Sequence, residues 1–415
     1  MNSSRIVFLT RDPVVHQMVG STTGVLNLLD LVARQGATVT MVATSAYSRS
    51  PRLWFRLRVP LPEGVTFFAP GYLRLGGLYL NLLSAKAWAR LVCRLAVRVP
   101  WLSSLGNLVE MIYGDALYAN SWDLTPVTLA EHEVALLAVE RRRATTVIVN
   151  YACWAPLFKD AAMRGRKSVI FMHDLLSARV KRFREAGLPL DCPDIDEETE
   201  LSWLNRADTL IAAQSREAES IRPRVSGRVV LQPVVFHPQS SATEPELGRC
   251  LFVGSNIAPN KTGLEWLLKS VWPLVLAGYP QAKLAVVGGI CQSLDEGLAG
   301  VEKVGLVESM AAEYAKAAVC VVPLLLGTGI KIKLVEAMSF GKATVSTTVG
   351  VEGLEQWAAG AISVADDPAE FAAAVVRLLS DAAERKAHEA AALELIRAHY
   401  DAEAAPDPGF LAAVL

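Results

Sequence analysis

The chain reads as an α/β protein built from two Rossmann-like domains, each with its own parallel sheet. Three observations predict this. Short β-branched runs alternate with helical patterns along most of the sequence, as strand–helix–strand units of a parallel sheet do. The alternation falls into two series separated by a Pro-, Ser- and Thr-rich segment, residues 232–248 (QPVVFHPQSSATEPELG), which reads as a connector. Finally, 415 residues with 52% apolar and 20% charged side chains are enough for two large cores.

Residues 5–10 (RIVFLT) open the first series as a strand. A helical pattern over 22–35 follows, with Gly36 where a left-handed C-cap belongs, and 38–43 (TVTMVA) is the next strand. The theme returns at 145–149 (TTVIV), 168–171 (SVIF), 209–212 (TLIA) and 228–231. The second series has strands at 250–253, 283–287, 319–322 and 343–347. Its helices are expected near 263–277, 310–317 and 332–340, then at 368–380 and 382–400. The first domain is therefore expected to span 1–235 and the second 250–395, joined by a linker at 236–249. A C-terminal segment, 396–415, is expected to pack back on the first domain.

A net charge of −1 hides an asymmetry. Residues 1–240 carry 28 Lys or Arg against 21 Asp or Glu, whereas residues 241–415 carry 13 against 21. Such a split points to two domains with different partners. No run of about 18 uncharged apolar residues is present, and the N-terminus lacks the pattern of a secretory signal. The six cysteines are scattered without a C-x-x-C pair, as expected of thiols in a reducing cytoplasm. The six histidines show no metal-ligand spacing, so no metal site is expected.

The positive excess is local. Residues 51–108 hold eight basic residues and one acid, Glu63. Lys86, Arg90, Arg94 and Arg98 recur every four residues, which on a helix makes one cationic ridge flanked by Leu82, Trp88, Leu91 and Leu95. Two readings fit: contact with an anionic membrane surface, or a solvated basic face. No nucleic-acid-reading motif accompanies the ridge, so nucleic acid is not an expected partner.

The segment 323–353 (PLLLGTGIKIKLVEAMSFGKATVSTTVGVEG) concentrates the chemistry. A buried strand ends at Pro323. Gly327 and Gly329 allow a tight loop and close approach of backbone to a ligand. A helix then starts near Ile330, and its terminal N–H groups favour an anion. Lys331 and Lys333 in the first turn oppose the helix dipole, and a bound polyanion such as a diphosphate accounts for them. Glu336, further along, is placed to accept hydrogen bonds from two ribose hydroxyls. A plain loop–helix junction with surface lysines fits these residues equally well.

The order of these features, G-T-G-I-K-I-K-x-x-E-A-M-x-x-G-K-A-x-V-x-T-x-x-G-x-E-G-L, closely resembles the donor-site segment of retaining family-four glycosyltransferases of GT-B fold. Residues 251–289 (LFVGSNIAPNKTGLEWLLKSVWPLVLAGYPQAKLAVVGG) and 301–323 resemble the same family. The first half is similar more loosely, at VIVNYACWAPL, VIFMHDLLSARVKRF and NRADTLIAAQSREAESI. The resemblance implies two domains facing across a cleft, the second holding a nucleotide sugar and the first an acceptor. It implies transfer to a glycan or lipid-linked acceptor with retention of anomeric configuration, without a metal or other cofactor. With the basic stretch, it points to a cytoplasmic enzyme, peripheral at the inner face of a membrane.

Site roles follow from the same resemblance. Glu336 would bind the ribose, the backbone at Gly329 and Ile330 would face the diphosphate, and Gly305 and Leu306 at a strand end would hold the base. The loop after the first strand of the second domain, at Gly254, usually continues with an Arg that clamps the diphosphate; here Ser255 follows, leaving Lys261 as the second member of that pair, with Lys331 or Lys333 as substitutes. The family often carries E-x7-E, and the earlier glutamate, which lies near the transferred sugar, is Thr328 here. His173 would approach that sugar as a hydrogen-bond donor or transition-state stabiliser, with Asp174 orienting it or capping the next helix. Gly20 and Ser21 resemble the loop beneath diphosphate and acceptor; His16 shares that loop. The competing readings are a catalytically silent transferase-like partner, a GT-B sugar-nucleotide epimerase, and a dinucleotide-dependent oxidoreductase. The last lacks a G-x-G-x-x-G after the first strand, where residues 11–20 read RDPVVHQMVG.

Overall fold

The two strand–helix series fold into two parallel sheets, and a small antiparallel sheet interrupts the first. The computed structural model describes residues 4–11, 20–49, 51–57, 59–96, 103–113, 124–239, 244–404 and 406–415. In the first half the strands are β1 (Arg5–Thr10), β2 (Thr38–Ala43), β3 (Trp54–Arg56), β4 (Val65–Phe68), β5 (Leu73–Leu75), β6 (Leu78–Leu80), β7 (Thr146–Asn150), β8 (Lys167–Phe171), β9 (Thr209–Ala212) and β10 (Arg228–Leu231). The second half has β11 (Arg249–Val253), β12 (Lys283–Val287), β13 (Val301–Gly305), β14 (Val319–Val322), β15 (Ala343–Ser346) and β16 (Ile362–Val364). The helices are α1 (Gly20–Ala33), α2 (Ala85–Ala96), α3 (Ser103–Tyr113), α4 (Leu129–Arg141), α5 (Leu176–Glu185), α6 (Glu197–Leu204) and α7 (Ser215–Ile221). They continue with α8 (Ala258–Trp266), α9 (Trp272–Gly278), α10 (Met310–Lys316), α11 (Ile332–Ser339), α12 (Pro368–Ser380), α13 (Ala382–His399) and α14 (Pro408–Val414).

The first sheet runs β10-β9-β8-β7-β1-β2-β4 and the second β13-β12-β11-β14-β15-β16, both parallel throughout. Their central strands are buried except at one end of β1 and of β7, which is why their middles read as apolar runs. Strand order reverses at β1, flanked by β7 and β2, and at β11, flanked by β12 and β14. A crevice opens beyond the carboxyl ends of the strands at each such point.

The helix expected over 263–277 is interrupted. Residues Leu267–Val271 form a π-helical turn before α9. Pro273 has no N–H to donate, and its ring displaces the carbonyl one turn back, so the wider turn relieves both. The connector is tied to the chain end: the Phe236 N–H donates to Tyr400 O at 2.8 Å. Helix α14 lies on the first domain, with Phe410 and Val414 in its core and Thr146 Oγ1 donating to Val414 O at 2.8 Å. Of the basic ridge, α2 carries Lys86, Trp88 and Arg90. The Arg94 side chain, Arg98, Trp101 and His16 lie outside the described residues.

Candidate functional site

The two crevices face each other and form a cavity of about 420 Å³. The first domain contributes Gly20, Ser21 and Thr23 at the start of α1, Tyr151 after β7, and His173 and Asp174 after β8. The second contributes Gly254 after β11, Gly288 after β12, the loop with Thr328 and Ile330, and Lys331, Lys333 and Glu336 at the start of α11. Close backbone approach shapes this wall. Gly288 has φ of 107°, and a Cβ there would come 2.3 Å from Gly254 O. Gly329 has φ of 70°, and a Cβ there would come 2.6 Å from His173 O, so the loop before α11 lies directly on the His173–Asp174 turn.

His173 is enclosed by aromatic rings, with Tyr151 at 4.4 Å and Phe171 at 4.6 Å between centroids. Burial pushes its imidazole down to about 4 against the opposing pull of Asp174, so the ring is neutral at pH 7. Nε2 lies 2.7 Å from Asn150 Oδ1, and Asn150 Nδ2 donates to Thr10 Oγ1. That network assigns the proton to Nε2 and leaves Nδ1 as an acceptor. Donation to a sugar hydroxyl, as expected from the sequence, would require the other tautomer and a turned Asn150 amide. Tyr151 holds φ of 71°, a strained backbone at the cavity wall.

Glu336 is held by Tyr314, whose hydroxyl donates to Oε2 at 2.9 Å. The phenol stacks on Phe340 at 4.6 Å. Burial raises the Glu336 carboxyl, and the Tyr314 bond partly offsets this. No hydrogen bond to Oε1 is seen among the described residues. Lys333 donates to Asn260 Oδ1 and lies 5.2 Å over the Phe252 ring. Its amine is pushed down to about 7, first by burial and then by Lys331. Lys331 is spoken for: its Nζ donates to Gly329 O at 2.8 Å and pairs with Glu352 at 3.4 Å. Among the described cations of the cavity, Lys333 alone forms no ion pair with a carboxylate.

The loop before α11 is gripped from the first domain. Thr328 Oγ1 donates to Asp174 Oδ2 at 2.6 Å, and Arg179 Nη1 reaches the same oxygen at 3.1 Å. The Gly329 N–H donates to Glu217 Oε1 at 3.0 Å. Burial, and next Asp174, push the Glu217 carboxyl up to about 8, so it is largely protonated at neutral pH. Arg182 forms two 2.8 Å bonds to the Glu352 carboxylate and also donates to Gly327 O. Arg216 adds longer ion pairs to Glu352 and Glu355.

The structure thus brings together Gly20, Ser21, His173, Asp174, Gly254, Thr328, Ile330, Lys331, Lys333 and Glu336. Others stand apart. Lys261 is exposed on α8 and does not line the cavity. Gly305 and Leu306 are also outside it; Leu306 is 70% exposed, and Gly305 touches the wall only by accepting from the Gly288 N–H at 2.7 Å. The Gly329 N–H, expected to face a diphosphate, is taken by Glu217. Tyr314, Asn260, Glu217, Arg182 and Glu352 escaped sequence reasoning, because each acts through a partner 22 to 170 positions away. All five lie inside segments that resemble the family, Glu352 in the V-G-V-E-G run, but nothing in those segments singles them out.

Residues 248–381 match the family model described as "Glycosyl transferases group 1". Across 96% of its length the chain superposes on sucrose-phosphate synthase from Thermosynechococcus elongatus, covering 95% of that chain, with a TM-score of 0.64 at 18% identity. The fold is GT-B. The chain likewise superposes on HepE of Anabaena in complex with UDP, covering 96% of each chain, with a TM-score of 0.58 at 13% identity. In sequence it is 28% identical over 165 residues to an uncharacterized 44.6 kDa protein in the cps region of Klebsiella pneumoniae; the match spans 37% of this chain and 42% of that one. Within this GT-B chain the group 1 segment coincides with the domain that carries Gly254, Lys333 and Glu336.

Proposed function

We propose that the chain is a glycosyltransferase that moves a sugar from a nucleoside diphosphate sugar to a glycan or lipid-linked acceptor, with retention of anomeric configuration. One observation carries this reading. A single interdomain cavity joins an anion-favouring wall, made by Lys333 and the first turns of α1 and α11, to a buried carboxylate, Glu336, with one oxygen left for a ribose hydroxyl. Helix amides and Lys333 stabilise the departing diphosphate, taking the part a metal has elsewhere. The acceptor hydroxyl attacks the face the leaving group vacates, and the leaving phosphate takes its proton. His173 Nδ1 accepts from a sugar hydroxyl and fixes its orientation. The match of residues 248–381 and the UDP complex of HepE support the donor class.

The test is a panel of nucleoside diphosphates and their sugars. One of them binds the wild type, and Glu336→Ala lowers that affinity about tenfold or more, read by calorimetry. A chain that binds and turns over no sugar nucleotide overturns the reading. A second reading, a donor-binding partner without transfer, is favoured by Ser255 in place of an arginine and by the hold of Glu217 on the Gly329 N–H. Binding without turnover across the panel would select it.

Thr328 gives a sharper check on the donor sugar. Thr328→Glu sets a second carboxylate against Asp174 and lowers transfer by roughly 30-fold or more. Adding Asp174→Asn removes the repulsion and restores part of the loss. If the double variant is no better than Thr328→Glu alone, the two positions are not coupled through the sugar site.

A further inference from the structure

We infer that the outer side of the small sheet β3-β6-β5, with helices α2 and α3, is a membrane-docking surface that lays apolar side chains, accompanied by cations, on an anionic lipid bilayer. The basic ridge of α2 was legible in the sequence, but the face itself is a product of pairing. In the small sheet β6 lies between β3 and β5, all antiparallel. The register puts Trp54, Leu80 and Leu73 in one row and Arg56, Leu78 and Leu75 in another. These rows share one side, because alternate residues of a strand point the same way. The intervening row turns inward, where Phe55 and Tyr79 stack at 4.7 Å beneath Phe67 and Tyr72. The outer side stays exposed among the described residues: Trp54, Leu73 and Leu75 are each more than half exposed.

The helices that follow repeat the feature. Helices α2 and α3 pack closely through Cys93, Ala96 and Gly106, and Trp88, Met111 and Ile112 on them stay exposed, as does Leu83 just before α2. Leu83 is 97% exposed and Met111 77%. Of the twenty large apolar side chains exposed among the described residues, twelve lie between Trp54 and Ile112. That concentration is more than the scattered exposure of an ordinary surface. Around it Arg56 and Lys86 are exposed, and residues 51–108 contain a single acid.

The composition selects the occupant. The core of a protein interface is depleted of charge, and a second copy laid on this face would set cations against cations, whereas an apolar face with tryptophans and one-sign cations suits the headgroup layer of an anionic bilayer. No helix among the described residues is long and apolar enough to cross a membrane, so the contact is a surface one. The face belongs to the first domain, to which the acceptor is assigned, but it does not depend on the donor-site reading.

Flotation of the full chain with phosphatidylcholine vesicles, with and without phosphatidylglycerol, tests this. The chain is expected to float with the anionic vesicles at low salt and to release at high salt. Leu83→Ser combined with Met111→Ser should lower partitioning about tenfold, and Leu75→Ser or Lys86→Glu several-fold. These exposed side chains leave the cavity untouched, so UDP binding by each variant should equal that of the wild type; this separates loss of the surface from loss of the fold. Absence of flotation with anionic vesicles at low salt overturns the inference, as does wild-type flotation of the serine variants. A wild-type dimer that the serine variants split would also overturn it, since a second copy would then cover the face. Failure of the wild type to bind any nucleotide bears on the donor reading alone.

Discussion

Lys333→Met lowers affinity for the cognate nucleoside diphosphate by about 10- to 100-fold, the expected loss of one or two charge-assisted hydrogen bonds to phosphate. The reason lies in the charges around it. Lys331 is committed to Glu352, Arg179 to Asp174 and Asp191, and Lys261 lies outside the cavity. Lys333 has only neutral partners, Asn260 and the Phe252 ring. Burial and Lys331 hold its amine at about 7, so in the empty cleft it is about half charged at neutral pH. A bound diphosphate favours the charged form, and binding therefore takes up a proton. Below pH 7 the amine already carries that proton, and affinity is greatest. As pH rises through 7 the proton must come from solvent, and affinity falls until the raised value in the complex is passed. Glu217, at about 8, becomes anionic beside the loop over the same range and adds a smaller fall. Calorimetry in two buffers of different ionisation enthalpy reads the proton uptake directly. Lys333→Arg keeps the charge at every pH and should flatten most of the slope. A wild-type affinity constant between about pH 6 and about pH 9 would show that Lys333 does not meet the diphosphate.

Arg182→Met opens the cleft and slows transfer by roughly 50-fold, while UDP affinity changes by only about threefold. Arg182 reaches from α5 across the domain boundary, and its two nitrogens match the two oxygens of Glu352. This paired geometry is the strong form of such a contact. The same guanidinium also holds Gly327 O in the loop before α11. The Glu352 carboxyl is held below the usual range by Arg182 and Lys331 despite its burial. Removing Arg182 leaves that charge underpaired and frees the loop. In the proposed reaction His173 and Asp174 meet the donor, so the chemical step should suffer more than nucleotide binding. Small-angle scattering with and without UDP should show a larger radius of gyration for the variant, together with a lower kcat. If both match the wild type, the contact has no part in closure.

Much of the scaffold was legible in residue order. Strands β1, β2, β9, β10, β12 and β14 and helix α12 coincide with the sequence-based expectations, because buried parallel strands must be continuously apolar and their helices need caps at both ends. The G-T-G-I-K-I-K-x-x-E run also placed Lys333 and Glu336 on the first two turns of α11, a purely local matter of helical period. The small strands β3, β5 and β6 were not foreseen. At three residues each they have too little alternation to stand out, and their pairing is settled by Phe55, Phe67 and Tyr79 meeting in space. The role of Lys331 went the same way. As a cation in a first turn it matched Lys333, and only the approach of Glu352 separated them.

The sequence by itself determined two parallel-sheet domains, the loop and helix of the donor side, and the uneven charge of the two halves. Those properties depend on neighbours within a turn of helix or along one strand, where spacing alone decides what shares a face. Tertiary structure decided which lysine is left unpaired, which nitrogen of His173 carries the proton, and how the first domain holds the second through Asp174, Glu217 and Arg182. It also decided which apolar side chains of residues 52–112 stay outside. Each of these depends on burial and on partners far apart in the chain, and burial exists only once the chain has folded.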